Sequence, residues 1–467
     1  QNSTPKLDVS VTSRGLHGEA YRGHIFWDEL FIAPFYLAHN PQVVKAMLLY
    51  RYRRLQAAKD LASENNYQGA MYPWQSGLKG DEQSQKIHLN PLTNKWDLDN
   101  SRLQNHVSLA IAYNIISYLN TTNDQEFLNN YGLEMLLEIG KFWLSKLEYD
   151  APTDRFHIDK VMGPDEFHEA YPHSQEPGLK DNAYTNILVS WLFNELEKIK
   201  ASSSEILLRN LTTKVGFSEM DWQLLNHAKD RLSLEINQND IVAQYQGFFD
   251  LQPLDFAAYR EKYGNIDRMD RILKSEGKEI NDYQAIKQPD FLMLYYLFDV
   301  ATVNRLIENL GYQIPQDFFE KNLAYYESIT THGSTLSRVI HSELALANHE
   351  PDKALAFYQT ALESDYHDIQ GGTTAEGIHT GVMASTYWLM IHAFGGVHLD
   401  NQQLAIQPQL PAKWQALKFN FTHYQINYQL EIRHNLVKIS ADKPTTVRVG
   451  DNLVNITVEP VEIPYNL

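Results

Sequence analysis

The chain has 467 residues, 43% of them hydrophobic and 12% aromatic, which is enough to bury one large core and a smaller second one. Forty Lys and Arg against 58 Asp and Glu leave a net charge of −18, spread along the sequence, which argues against nucleic acid or an anionic membrane surface as a partner. With no cysteine, disulfides and thiolate metal sites are excluded, and no apolar run reaches the roughly 18 residues of a membrane span.

Residues 1–13 are polar and read as a leading arm or linker. Next, Arg14 opens a stretch with three glycines, closed by Trp27, Asp28 and Glu29 at the start of an apolar helix. Acids there favour the helix dipole, and an aromatic beside two acids after a glycine-rich loop equally suits a wall that binds sugar hydroxyls. Apolar periodicity predicts a helix over 41–62, with the arginines of 51–54 on a solvated face or in ion pairs at the core edge. The loop 69–82 carries Trp74 and two acids, and loops this aromatic line something. Helices are expected over 99–119 and 126–149.

Residues 161–169 concentrate the chemistry. A Gly163-Pro164 turn that no regular element tolerates in its interior introduces Asp165, Glu166, His168 and Glu169. A helix over 181–199 follows, with Asp181 or Thr185 as its cap, then one over 218–235 and a long irregular tract to Asp282 whose role the sequence leaves unassigned. Lys287 and Gln288 stand just before a helix-starting proline. Further helices begin near 304, 317, 336 and 352. Residues 331–337 combine His332, Gly333, Ser334 and Thr335 at a helix N-terminus, an arrangement that can cradle an anion, although an ordinary Ser/Thr cap explains the hydroxyls as well. A second acid, Glu376, again follows glycines (371–372) and precedes a helix over 379–394. Two loop-borne carboxylates facing one cavity would be the minimum equipment for acid-assisted cleavage of a glycosidic bond. The helix pairs suggest a ring with the motif loops at one mouth; after Gly395 the texture changes to period-two strands with turn residues, a small antiparallel β domain.

The ordered motifs at 14–31, 72–76, 163–169, 181–186, 287–288, 332–337 and 376–379 resemble those of glycoside hydrolase family 65, inverting phosphorylases and hydrolases of α-glucosides, across nearly the whole chain. The resemblance implies a mainly α fold: a leading arm at 1–13, an (α/α)6-barrel catalytic domain over 14–395 and a C-terminal β-sheet domain over 396–467. It implies Glu166 as general acid, with Asp165 as a loop-stabilising acceptor. Trp27, Asp28 and Trp74 would line the sugar subsite, which Lys287 and Gln288 help to hold. In the phosphorylases the segment matching His332, Ser334 and Thr335, helped by the residue matching His379, binds phosphate.

The expected reaction is therefore inverting phosphorolysis of an α-linked glucose disaccharide to β-glucose 1-phosphate. One alternative is an inverting α-glucosidase in which Glu376 activates water, and another is a non-catalytic sugar-binding subunit. No metal or cofactor is expected beyond inorganic phosphate as co-substrate. A phosphorylase would be cytoplasmic and a hydrolase periplasmic or secreted. Family members normally carry an N-terminal β-sandwich and a first helical hairpin ahead of the stretch at Arg14; here both are expected to be missing by truncation or supplied by a second polypeptide, and a homodimer is compatible with the pattern.

Overall fold

The computed structural model describes residues 5–15, 18, 20–367, 374–399 and 403–465. Leu16, His17 and Glu19 of the first motif, and Gly371, Gly372 and Thr373 ahead of Glu376, lie outside the described residues. The chain is mainly helical with largely antiparallel sheets at its C-terminal end, and it divides into two compact units.

One unit comprises Arg53–Ala112 and Gly132–Ser337. Its central helices are apolar on nearly every side: Leu133–Ser145 buries Leu133, Met135, Leu136, Leu137, Ile139, Phe142 and Trp143, so it is a core helix and not an amphipathic surface one. It packs against Ala183–Ser202 closely enough that a Cβ on Gly140 would come within 2.7 Å of Leu196 Cδ1. The second helix is capped by neither Asp181 nor Thr185. Asn182 caps it, its side chain accepting from the Thr185 N–H at 2.9 Å, while Asp181 Oδ1 turns back to accept from the Ile158 N–H at 3.1 Å.

Other boundaries differ from the sequence reading for local reasons. The expected helix over 41–62 breaks at Arg54 into Pro41–Arg53 and Leu55–Glu64, with the Arg54 guanidinium donating twice to the Leu78 carbonyl. The helix expected over 99–119 is Val107–Thr122, preceded by a single 3-10 turn, Ser101–Leu103, so Gln104 and His106 sit on the irregular link. The tract expected to be irregular up to Asp282 holds the helices Phe256–Tyr263 and Met269–Ser275. Two short hairpins escaped notice: Ile87–Asn90 with Lys95–Leu98, and Leu147–Asp150 with Arg155–Ile158.

The other unit comprises Gln1–Tyr52, Tyr113–Tyr131 and Arg338–Leu467. Helix Glu29–His39 packs against Thr380–Leu389, which continues into a wider π turn, Met390–Phe394. The arginine cluster contributes a core ion pair: Arg51, 1% exposed, donates from Nε to Glu29 Oε2 at 2.8 Å. Glu29 also accepts from Ser10, so residues of the expected arm are buried against the helix. The C-terminal strands form two four-stranded sheets, each with alternating burial. One runs in the order Val461–Pro464, Leu436–Ala441, Ile426–Arg433, Leu417–His423 and is antiparallel throughout. In the other, Thr445–Val449 pairs in parallel with Ala405–Ile406.

Candidate active site

The acid loop stands on a buried polar scaffold. Asp165, 1% exposed, accepts at Oδ1 from the Lys287 N–H at 2.6 Å and at Oδ2 from Gln244 Nε2 at 3.0 Å, with His168 Nδ1 at 2.8 Å from the same oxygen. His168 Nε2 in turn lies 3.0 Å from the Tyr283 carbonyl. One carboxylate thus ties together three separate stretches of chain. Behind it, Asp290 accepts from Asn182 Nδ2 at 2.9 Å and from the Asp165 N–H at 3.3 Å. Burial and the neighbouring Asp165 charge push the Asp290 carboxyl well above the usual carboxylate range. Gly163 is needed for this packing, because a Cβ there would meet Asp290 Oδ2 at 2.0 Å.

On that platform Glu166 adopts a left-handed backbone, φ 65°, a conformation that costs a non-glycine residue about 1 kcal/mol or more and is held only when its surroundings dictate it. Its side chain is half-buried. Oε2 contacts Lys287 Nζ, and Oε1 lies 3.5 Å from Gln104 Nε2. Gln104 Oε1, the side-chain amide oxygen, faces His106 Nε2 at 3.1 Å; burial pushes the His106 pKa down to about 3, so the ring is neutral and places its N–H on Nε2. The His106 ring meets the edge of Trp74 at 5.4 Å. The buried Trp74 is therefore linked to Glu166 through His106 and Gln104. Glu169 points away to Asn100, accepting from its N–H at 3.1 Å and from Nδ2 at 2.8 Å, and burial raises its pKa to about 7.

The stretch bearing Lys287 runs beside the His332 loop. Ile286 bridges Thr330, the Thr331 N–H donates to the Ile286 carbonyl at 2.8 Å, and the Gly333 N–H donates to the Lys287 carbonyl at 2.9 Å. His332 is also left-handed, φ 58°, with Nδ1 2.9 Å from Ser337 Oγ. Ser334 Oγ accepts from the Leu336 N–H at 3.3 Å, and the buried Thr335 begins the helix Thr335–Ala347. Ser334 caps the helix, and the loop sits directly against Lys287. Gln288 is buried and donates its amide to the Pro164 carbonyl at 2.5 Å, holding the acid loop from behind.

The remaining sequence-selected residues gather in the other unit. A two-residue strand pair aligns Arg14 with His379 and Gly15 with Ile378. The buried Arg14 donates to the Gly377 carbonyl at 3.0 Å, and its Nη2 lies 3.5 Å from Glu376 Oε2. His379 donates its backbone N–H to Asp365 Oδ2 at 2.8 Å and accepts at Nδ1 from the Val382 N–H at 3.4 Å, which leaves the ring proton on Nε2, 3.7 Å from Asp28 Oδ1. Asp28 and Trp27 are both buried at the head of Glu29–His39, and Trp27 meets the edge of Phe31 at 5.2 Å. Glu376 ends a 3-10 turn and is 44% exposed.

Sequence reasoning missed Arg14, Gln104, His106, Gln244, Asp290 and Asp365. Asp290 had a visible signal as an acid directly after the Lys287-Gln288-Pro289 run, and Arg14 as the first residue of its motif; Gln104, His106, Gln244 and Asp365 stand outside helices and strands, and their importance comes from long-range contacts.

A mainly helical frame that presents a loop carboxylate on a buried polar network, followed by antiparallel sheets, places the chain among the glycosyl hydrolases. It belongs to glycosyl hydrolase family 65: the model of the family's central catalytic domain matches residues 1–388 and that of its C-terminal domain residues 397–456. The chain is 46% identical over 453 residues to trehalose 6-phosphate phosphorylase of Lactococcus lactis, covering 96% of this chain and 57% of that protein. It is 33% identical to kojibiose phosphorylase of Halothermothrix orenii, covering 94% of this chain and 54% of that protein. A solved structure described as a putative kojibiose phosphorylase from human microbiome superposes with a TM-score of 0.81 at 28% identity, covering 100% of this chain and 63% of that one. The chain thus spans about half the length of the Lactococcus and Halothermothrix phosphorylases.

Proposed function

We propose that the chain catalyses inverting phosphorolysis of an α-linked glucose disaccharide on an (α/α)6 barrel, with Glu166 as general acid and inorganic phosphate as nucleophile. The disaccharide we assign is trehalose 6-phosphate, on the strength of the 46% identity to the phosphorylase of that substrate. Glu166 donates its proton to the glycosidic oxygen as the bond to C1 breaks, and phosphate attacks C1 from the opposite face, giving β-glucose 1-phosphate and glucose 6-phosphate. The observation that carries this reading is the pairing of Glu166 with Lys287 on a stretch bonded to the His332 loop. Lys287 holds the Glu166 carboxyl in place, and the same segment abuts the loop assigned to phosphate. In this reading His332, Ser334, Thr335 and His379 take the phosphate; Trp27, Asp28, Trp74, Lys287 and Gln288 serve the sugar.

Hydrolysis would require Glu376 as the base that activates water. Its carboxylate is 44% exposed and lies 3.5 Å from Arg14 Nη2, toward solvent and not on a buried polar scaffold. Incubating trehalose 6-phosphate, trehalose and kojibiose with and without phosphate separates the readings. Glucose 1-phosphate formed only with phosphate is the expected result; free glucose formed at equal rate without phosphate overturns it.

A further inference from the structure

Both ring nitrogens of His168 face acceptors. Nδ1 lies 2.8 Å from Asp165 Oδ2 and Nε2 lies 3.0 Å from the Tyr283 carbonyl oxygen, and the side chain is 0% exposed. A neutral imidazole carries one N–H and one lone pair, so in either tautomer one of these contacts would set a lone pair against an oxygen. An imidazolium donates at both.

A protonated Asp165 that gave its hydrogen to a bare Nδ1 would be another way to fill the first contact. The carboxylate already accepts from the Lys287 N–H at 2.6 Å and from Gln244 Nε2 at 3.0 Å, and donors to a carboxylate favour its ionised form. Charge balance agrees. Asp290, behind Asp165, is kept neutral by burial and by the Asp165 charge. Tyr245, whose ring centroid lies 5.5 Å from that of His168, stays a phenol for the same two reasons, and the Phe248 ring stands edge-on at 5.7 Å. Asp165 is then the ionised group set against His168, and a buried carboxylate is costly unless it is paired.

The pair brackets the general acid. Asp165 and His168 stand on either side of Glu166 and Phe167, and beside His168 the Glu169 N–H donates to Asn281 Oδ1 at 3.1 Å. Glu166, left-handed at φ 65°, therefore hangs between one anchor on Lys287 and Gln244 and another on residues 281–283. The bond from His168 to Asp165 joins the two anchors.

We infer that His168 is an imidazolium donating from both ring nitrogens, and that its ion pair with Asp165 makes it a positioning residue for Glu166. The positioning role rests on the phosphorolytic reading of Glu166; the charge of His168 does not.

NMR of the whole chain, labelled with ¹⁵N in its histidine rings, reads the charge at neutral pH, the His168 signals being assigned by their loss in His168→Asn. Protons on both ring nitrogens are expected, and a bare Nδ1 or Nε2 overturns the imidazolium. Kinetics of His168→Asn and His168→Gln, each checked by thermal melting for an intact fold, test the positioning. Asn puts an amide N–H near the place of Nδ1 and keeps the bond to Asp165, whereas Gln puts one near Nε2 and keeps the bond to Tyr283. We expect kcat to fall by about 10–100-fold in His168→Gln with KM for phosphate within about threefold, and His168→Asn to recover at least about threefold of that loss. A side chain that served stability alone would lower Tm in both variants without this split. Wild-type kcat in folded His168→Gln, or an equal loss in the two variants, overturns the positioning role. Two ring protons in a chain that forms no glucose 1-phosphate from any of the three disaccharides would leave the ion pair standing and refute the phosphorolytic reading.

Discussion

Glu166 and Glu376 follow the same pattern in the sequence, a carboxylate a few residues after glycine on a loop that leads toward a helix, and they end in different surroundings. Beneath Glu166 lies a buried network in which Asp165, Asp290, Gln244 and Asn182 fix the backbone from four separate stretches of chain. Glu376 ends a 3-10 turn that runs into the short strand paired with Arg14–Gly15, and its carboxylate, 44% exposed, lies 3.5 Å from Arg14 Nη2. The difference teaches that a buried polar network under the Glu166 loop holds a left-handed residue in place, whereas the long-range bonds beside Glu376, from the Ala20 N–H to its carbonyl and from Arg14 to the Gly377 carbonyl, fix the backbone and leave its carboxylate toward solvent. A chemical step that needs a carboxyl held in one place belongs on the first.

The largest effect that would sharpen this contrast comes from Glu166→Gln. It keeps the shape and removes the proton, so turnover should fall by about 10²–10⁴-fold while calorimetric affinity for the disaccharide stays within a few-fold. Activity near wild type would remove Glu166 from the acid role. Glu376→Gln should change the phosphate-dependent rate by less than about threefold, since the carboxylate takes no proton in phosphorolysis; a loss comparable to that of Glu166→Gln would reverse the assignment of the two acids.

Gly163→Ala probes the scaffold without touching either carboxyl. The new Cβ would lie 2.0 Å from Asp290 Oδ2, so the loop or the buried acid must move. A stability loss of about 1–3 kcal/mol is expected, read as a lower Tm, together with a lower kcat at nearly unchanged KM for phosphate. An unaltered Tm would mean that the loop is not braced against Asp290.

How far the sequence could be read follows the same division. The helices with apolar periodicity and the period-two strands after Gly395 were legible, because burial imposes those patterns locally. So was the acid loop, because the Gly163-Pro164 turn can only be irregular. What gave the loop its geometry was hardly legible: Gln104 and Gln244 are ordinary residues in the sequence, Asp290 is marked only by following the Lys287-Gln288-Pro289 run, and all three acquire meaning through bonds that span between 62 and 125 positions. The cap at Asn182 was misplaced for a related reason. Asp181 is an equally good cap by type, but the Ile158 N–H and His157 claim its carboxylate.

The smallest expected effect concerns Glu169, the third carboxylate of the acid loop. Burial raises its pKa from the ordinary 4.5 to about 7 in the folded chain. Between those values the folded protein keeps a proton that the unfolded chain gives up, so this group's contribution to stability is full below pH about 4.5 and declines as pH rises to about 7. Because the residue is part-exposed, the decline should be on the order of 1–2 kcal/mol and not the full value of the shift. Other groups titrate in the same range: His106, pushed down to about 3, makes stability rise with pH, and Glu343, raised to about 7 by burial, makes it fall. Both are unchanged by Glu169→Gln, so they cancel in the difference between wild type and variant. Urea unfolding at pH 4.5, 5.5, 6.5 and 7.5 should show wild type losing ground to Glu169→Gln as pH increases; a difference that is constant across the series would mean that Glu169 is ionised alike in the folded and unfolded chains, the two Asn100 donors outweighing burial.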